Sequence, residues 1–240
     1  MLGLTAAVVV LGLAAALWRE TPQWRGDGAL SVPMSSVTSA RHLPACPARG
    51  TPIAIIGDSH VAGSRMAPGG GIPFGEVLQN ELAGHSEVSL HGVGGDTAAM
   101  GEERWRDRDL PGTGLVILAF GTNDAAPRGW LGSRSPVPLD SYKASLARQI
   151  LTWRERESEV ILLAPPPGGS RAIAARLAPY REAARDVGRD MKVAVLDPAD
   201  AFAGCPSDQP LLVRDALHMN EAGHLCLGRW LARRLCPSGS

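Results

Sequence analysis

Three residues of the chain have the types and the spacing of a hydrolytic triad. Ser59 follows residues 53–58, an apolar, β-branched run that ends in Gly-Asp. A run of this length that stops at a glycine is typical of a buried strand, and open α/β sheets present reactive groups at the carboxyl ends of their strands. Asp215 and His218 stand three residues apart near the end of the chain. A serine alone could be an ordinary turn or cap residue, so these partners decide its interpretation.

The chemistry that these three side chains can perform is acyl transfer. A serine hydroxyl becomes a useful nucleophile only when a base within hydrogen-bond reach accepts its proton. His218 is the candidate base. Asp215 can accept a hydrogen bond from the other ring nitrogen, which fixes the tautomer and stabilises the imidazolium. The sequence therefore predicts a triad in the chain order Ser, Asp, His.

Two further blocks lie between the serine and the histidine. Gly95 stands in Gly-Gly-Asp-Thr, and Asn123 stands in Gly-Thr-Asn-Asp. Gly95 has no Cβ, so its backbone can approach a substrate closely. Both residue types are also common in simple turns, which is the alternative interpretation.

Taken in order, the blocks Gly57-Asp58-Ser59, Gly95, Gly-x-Asn-Asp at 121–124 and Asp-x-x-His at 215–218 resemble the SGNH (GDSL-type) hydrolase superfamily. The resemblance spans about residues 52–236. It implies a serine esterase with Ser59, Asp215 and His218 as catalytic residues. It also implies an oxyanion hole made of the backbone N–H groups of Ser59 and Gly95 and the side-chain amide of Asn123, each donor stabilising the transition state by roughly 3–4 kcal/mol.

The elements that must position these residues alternate between strands and helices. The strand candidates are 53–57, 88–92, 114–120, 159–164 and 192–196. The helix candidates lie near 73–84, 97–107, 140–156, 171–188 and 220–235. This alternation predicts a parallel sheet covered on both faces, with ligands bound outside the carboxyl ends of its strands. The family resemblance implies the same α/β fold: a three-layer α/β/α sandwich with a five-stranded parallel sheet in flavodoxin-like order.

The start of the chain predicts export. Residues 1–17 carry no charge. We predict that residues 1–20 are a signal peptide or a membrane anchor. If they are an anchor, residues 1–18 would hold the protein in the membrane. A buried helix of the domain is the alternative. Residues 21–50 are rich in proline and small residues and are predicted to be a linker or a loosely packed arm. Residues 51–240 then form the hydrolase domain.

Cysteine content and charge indicate where the protein acts and which cofactors and partners are expected. Four cysteines suit a periplasmic or secreted protein with up to two disulfides. The first pairing expected is Cys205 with Cys226, and reduced buried thiols are the alternative. There is no Cys-x-x-Cys motif, so neither a metal nor a cofactor is predicted. Because 24 basic residues balance 24 acidic ones, nucleic acid is not indicated as a partner.

Three residues are candidates for binding the substrate. His60 follows the nucleophile, where the family commonly has leucine and where some sugar-ester-cleaving relatives have histidine. Its alternative is a residue of a helix that starts after the nucleophile. Arg128 and Trp130 lie in the loop after the Asn123 block, and Trp130 could stack on a sugar ring, cover an acyl chain or anchor its own loop.

The expected function is ester hydrolysis through an acyl-enzyme. The substrate would be a short acyl ester, an O-acetylated carbohydrate, or a lysolipid or aryl ester. One alternative is an acyltransferase that moves an acyl group to a sugar hydroxyl. Another is a non-catalytic carbohydrate-binding module on the same fold, although binding alone would not need a triad. No protein partner is implied, and membrane attachment would depend on the N-terminal segment.

Overall fold

A single parallel sheet forms the centre of the molecule. The computed structural model describes residues 46–64, 71–110, 112–125, 135–206 and 209–237. Its five strands are β1 Ile53–Gly57, β2 Val88–Gly92, β3 Leu115–Ala119, β4 Glu159–Leu163 and β5 Ala194–Leu196. They lie in the order β2-β1-β3-β4-β5, and every neighbouring pair is parallel. This is the flavodoxin-like order, so the predicted fold class is confirmed.

Helices cover both faces of this sheet. They are α1 Phe74–Glu81, α2 Ala98–Arg106, α3 Thr122–Ala125, α4 Leu139–Glu155, α5 Arg171–Met191, α6 Pro198–Ala203 and α7 Glu221–Leu235. Successive strand residues point to opposite faces, so Ile53 and Ile55 pack with α1 and α7, whereas Ala54 and Ile56 belong to the core with α2, α4 and α5. Both cores are fully buried beneath the rim that carries the site.

The elements differ from the prediction chiefly in the start of one strand and in two short helices, and the other ends are shifted by at most three residues. The strand predicted at 192–196 begins only at Ala194, because α5 continues to Met191 and Lys192 closes that helix with a left-handed φ of 54°. The short helices α3 and α6 were not predicted. Asn123 lies on α3. Helices of four and six residues are too short to leave a periodic apolar pattern from which they could be predicted.

Two disulfides tie the end of the chain to the rest of the domain. Cys205 is bonded to Cys226, as expected, and Cys46 is bonded to Cys236 across 190 residues. Disulfides of this kind fit an exported protein. Within the described ranges, no helix has both the length and the apolar character needed to span a bilayer. The predicted signal or anchor at 1–20, and residues 21–45 of the predicted arm, lie outside the described residues.

Candidate active site

Four blocks of the chain meet at the carboxyl rim of the sheet. Ser59 lies two residues beyond β1, Gly95 three beyond β2 and Asn123 four beyond β3. Asp215 and His218 lie in the loop that leads into α7. The family motifs are thus brought together by the ends of three adjacent strands and one loop.

The strand register places the first three blocks side by side. Gly57 at the end of β1 is paired with Gly92 of β2 and with Ala119 of β3. A side chain at Gly57 would collide with the backbone carbonyl of Ala119. Glycine is therefore required here for the three strands to end level with one another, which is why the nucleophile block begins with it.

Ser59, His218 and Asp215 form one continuous hydrogen-bonded line. The Ser59 Oγ lies 3.1 Å from His218 Nε2, and His218 Nδ1 lies 2.7 Å from Asp215 Oδ2. Because a carboxylate can only accept, Nδ1–H donates to Asp215, and Nε2 is left free to accept the serine proton. This is the tautomer that a general base for Ser59 requires.

Asp215 is held as a carboxylate by its own block. Burial acts to raise its pKa, but hydrogen bonds from the His218 ring and from the backbone of His218 and Leu217 outweigh it and lower the pKa to about 2. Both backbone amides donate to Oδ1 at 2.9 Å. One carboxylate oxygen thus fixes the turn while the other faces the imidazole.

The shape of this turn depends on a residue that the motif does not specify. Ala216 has a φ of +57°, in the left-handed region that disfavours residues with a Cβ. Its carbonyl accepts a hydrogen bond of 2.7 Å from the amide of Gly169, in the Pro-Pro-Pro-Gly-Gly turn after β4. This bond from Gly169 supports the Asp215 block, a contact that nothing in the sequence indicates.

Asn123 is joined to the Gly95 block through Asp96, the residue that follows Gly95. The Asn123 Nδ2 group donates a 3.0 Å hydrogen bond to the carbonyl of Asp96. Gly95 has a φ of +87°, and a side chain there would meet no atom within 4 Å, so its glycine is required by backbone conformation and not by crowding. Among the described residues, neither the Ser59 amide nor the Gly95 amide has an acceptor.

Asp58 and Asp124, the two carboxylates beside these residues, fasten loops. Asp58 Oδ1 accepts from the amide of His60 at 2.9 Å, and both oxygens of Asp124 accept from the amide of Ala98 at 3.2 and 3.0 Å. Burial raises the pKa of each carboxyl to about 7. These hydrogen bonds come from backbone amides of the loops that the two carboxylates hold.

His60, a predicted substrate-binding residue, lies behind the triad. Its side chain is buried, and its ring stacks on that of His218 with centroids 5.4 Å apart. Neither ring nitrogen has a hydrogen-bond partner among the described residues, and burial lowers its pKa to about 3, so the ring is neutral. The chain after Ser59 makes a turn through Ser64, not the helix considered for His60. The other two candidates, Arg128 and Trp130, lie outside the described residues.

Comparison with known proteins gives the same family as the motifs. Residues 55–225 match the GDSL-like Lipase/Acylhydrolase family. An alpha/beta hydrolase enzyme from the metagenome of Lake Arreo, Spain, is 23% identical, with 78% of this chain and 96% of that chain covered and a TM-score of 0.64. An acetylxylan esterase from Geobacillus stearothermophilus is 22% identical, with coverages of 78% and 95% and a TM-score of 0.63. A lipase/acylhydrolase from Enterococcus faecalis is 23% identical, with coverages of 77% and 95% and a TM-score of 0.61.

No curated protein matches the chain. At these identities the solved structures show a shared fold, and the substrate must be argued from the site itself.

Proposed function

The chain belongs to the GDSL-like lipase/acylhydrolase family and is a carboxylic ester hydrolase, and we propose that it works through an acyl-enzyme formed on Ser59. One observation carries the proposal. The Ser59 Oγ lies 3.1 Å from His218 Nε2, and Asp215 Oδ2 lies 2.7 Å from the other ring nitrogen, His218 Nδ1. A structural serine would need neither a base nor a carboxylate behind that base.

In the acylation step, Ser59 Oγ attacks the ester carbonyl carbon as His218 Nε2 takes the hydroxyl proton. Asp215 remains a carboxylate throughout and stabilises the imidazolium, in keeping with its lowered pKa. When the tetrahedral intermediate collapses, His218 returns the proton to the leaving alkoxide. The products of this half-reaction are the free alcohol and an ester between the acyl group and Ser59.

The negative oxygen that develops on the carbonyl would be bound by three donors. These are the backbone amides of Ser59 and Gly95 and one N–H of the Asn123 side chain, whose other N–H is donated to Asp96. Donors fixed before the reaction cost no reorganisation when the charge forms, so they lower the barrier directly. In deacylation, a water molecule attacks the acyl carbon as His218 takes its proton, and the same three donors bind the oxyanion. The bond from the acyl carbon to Ser59 Oγ then breaks, His218 returns the proton to Ser59, and the carboxylic acid is released.

For the substrate we propose short acyl esters, with O-acetylated carbohydrate ahead of lysolipid and aryl esters. Two points support this order. One structurally similar protein is an acetylxylan esterase. His60 follows the nucleophile, as a histidine does in some sugar-ester-cleaving relatives. The partner of the site is accordingly a small-molecule or glycan ester.

The experiment that tests this proposal is a panel of p-nitrophenyl esters from acetate to palmitate, run beside acetylated xylan, with Ser59→Ala as the control. Hydrolysis that is confined to acetate and extends to xylan supports the sugar esterase. A long-chain optimum favours a lipid substrate, and transfer to added sugar that exceeds release to water favours an acyltransferase. Binding of xylan without turnover would favour a carbohydrate-binding module and would overturn the enzymatic proposal.

We also propose that the chain is exported, periplasmic or secreted, with 1–20 as signal peptide or anchor, 21–50 as arm and 51–240 as hydrolase domain. The two disulfides and the uncharged first 17 residues support this arrangement. Cell fractionation with N-terminal sequencing tests it. A mature chain that starts near residue 20 indicates cleavage, an intact chain in the membrane fraction indicates anchoring, and a reduced cytoplasmic protein contradicts export.

A further inference from the structure

Gly95 and Asn123, the proposed oxyanion donors outside the nucleophile block, both adjoin Asp96, which forms a bidentate ion pair with Arg104. From helix α2, Arg104 Nε donates to Asp96 Oδ2 at 2.9 Å and Arg104 Nη2 donates to Asp96 Oδ1 at 3.0 Å. The Asp96 side chain is 3% exposed and that of Arg104 is 30% exposed. We propose that Arg104 is a positioning residue that holds both donors in place through Asp96. This inference rests on the proposed function, since it concerns the same reaction.

Both donors depend on the backbone of Asp96. Gly95 immediately precedes it, and the Gly95 N–H is joined to the Asp96 peptide through the φ (87°) and ψ of Gly95, so a shift of that peptide is passed on to the Gly95 N–H. The Asp96 carbonyl accepts the 3.0 Å hydrogen bond from Asn123 Nδ2 and so determines where the second N–H of that amide points. The Asp96 amide donates to Val93 at 3.1 Å. An error in the position of Asp96 would therefore misplace two donors at once.

Helix α2 provides a rigid base for this arrangement. Its first turn is fastened by Asp124, whose carboxylate accepts from the Ala98 amide, and by Gln149, whose Nε2 donates to the Ala98 carbonyl at 2.9 Å. Arg104 lies further along the same helix and extends back to Asp96. The Asp96 peptide thus lies between the fastened first turn of α2 and the side chain of Asn123.

The positive charge of Arg104 would also neutralise the Asp96 carboxylate. A buried carboxylate near a developing oxyanion would oppose the charge that forms in the transition state. The guanidinium neutralises that carboxylate and, as a planar fork, also fixes its orientation. Lysine could supply the charge but not the bidentate geometry.

The test compares Arg104→Met and Arg104→Lys with Arg148→Met. Arg148 of α4 makes a matched bidentate pair with Glu102 of α2, at 2.6 and 2.8 Å. Within the described ranges, its side-chain hydrogen bonds go to Glu102 and Ser145 and to no residue of the site. Steady-state kinetics on p-nitrophenyl acetate and thermal melts would be recorded for all three variants and for the wild type.

We expect Arg104→Met to lower kcat by about 10–100-fold, with KM within about twofold of the wild type, because misplaced donors affect the transition state more than the ground state. Arg104→Lys should recover part of the loss. Arg148→Met should keep wild-type kcat whatever it does to the melting temperature. In an Asn123→Ala background, Arg104→Met should cost less than it does alone, since one of the donors that it positions is already gone.

Wild-type kcat in both Arg104 variants would overturn the inference, as would equal kinetic losses in Arg104→Met and Arg148→Met. If Arg104→Met does not fold, Arg104→Lys decides alone, because a folded variant with unchanged kcat contradicts positioning by the fork. Labelling of the wild type with a fluorophosphonate separates this result from the proposed function. An unlabelled Ser59 means that the acyl-enzyme proposal fails, whereas a labelled Ser59 with fully active Arg104 variants means that only the positioning role fails.

Discussion

The oxyanion side and the acid–base side of the site are held in different ways. Asn123 is bonded to Asp96, 27 residues away, and the helix that follows Asp96 is bonded to Gln149, 51 residues from Ala98. The side-chain hydrogen bonds of Asp215 all lie within three residues, to the His218 ring and to the amides of Leu217 and His218. Distant parts of the chain add the bond from Gly169 to Ala216 and the stacking of His60 on His218. One half is assembled by contacts between distant elements, and the other is a local turn.

This difference predicts how each half responds to mutation. In the local half, function should be concentrated in the residues that react, because few others support them. In the assembled half, function should be spread over residues that never touch substrate. The predictions below test that distinction, in order of decreasing effect on the measured quantity.

The largest effect concerns the reacting pair. His218→Ala and Ser59→Ala should each lower kcat by several orders of magnitude, on the order of 10⁶-fold, because only oxyanion and binding contributions survive. The double variant should cost little beyond either single change, as expected for residues that act as a unit. Losses that add would show that the 3.1 Å contact between the two side chains is not used in catalysis.

Asp215→Ala should be milder than His218→Ala, with kcat reduced by about 10⁴-fold, because the base remains but its tautomer is no longer fixed. The melting temperature should change little, since the side chain is partly exposed and its contacts are local. Steady-state kinetics with a thermal melt of the same preparation checks both parts. A loss of stability that explained the loss of activity would contradict the description of this half as self-contained.

Asn123→Ala should lower kcat by roughly 10²–10³-fold with KM nearly unchanged, because the amide serves the transition state. Asn123→Asp should be at least as damaging, since a carboxylate would face the developing negative oxygen. A residue that merely forms a turn would instead lower the melting temperature and leave kcat largely intact. Normal kcat in Asn123→Ala would remove this residue from the site.

The same division explains what the sequence could predict. Asp-x-x-His places an acid and a base within one turn, so Asp215 and His218 could be paired from spacing alone. Asp96 and Arg104 are eight residues apart across a helix cap, a spacing that no helical or strand periodicity singles out. Ala216 is a further case, because alanine does not signal a left-handed turn. Contacts that depend on how two elements pack cannot be found before the packing is known.

The prediction of the fold from the sequence was limited in the same way. Strand cores were predicted because a strand buried on both faces is an uninterrupted apolar run, as in β1 and β3. Helix α3 could not be predicted, since its four residues are held by the packing of the rim. Asn123 is part of this helix, so the element that was missed contains a residue of the candidate site.

The smallest effect concerns a long-range contact beneath the acid–base half. His224 of α7 is buried, and its Nδ1 accepts a 3.2 Å hydrogen bond from the Phe74 amide of α1. Burial lowers its pKa from 6.5 to about 4. The folded state thus holds the ring neutral where the unfolded chain would bind a proton, so this stabilisation is present above about pH 6.5 and is lost as the pH falls towards 4.

We therefore expect the melting temperature of His224→Gln to fall less between pH 7 and pH 5 than that of the wild type. The kcat of the folded variant should stay close to the wild-type value, because the local turn does not depend on this contact. Parallel pH profiles of the two proteins would contradict the first expectation. A large kcat loss in a fully folded variant would show that the acid–base half is not self-contained.

The central claim, that Ser59 carries the acyl group, is tested most directly by trapping the intermediate. The enzyme would be mixed with excess p-nitrophenyl acetate, quenched rapidly in acid and digested for peptide mass spectrometry. The account predicts one acetyl group on the peptide that contains Ser59, and none on the same peptide of Ser59→Ala. Acetylation at another residue, or undiminished hydrolysis by Ser59→Ala, would contradict it.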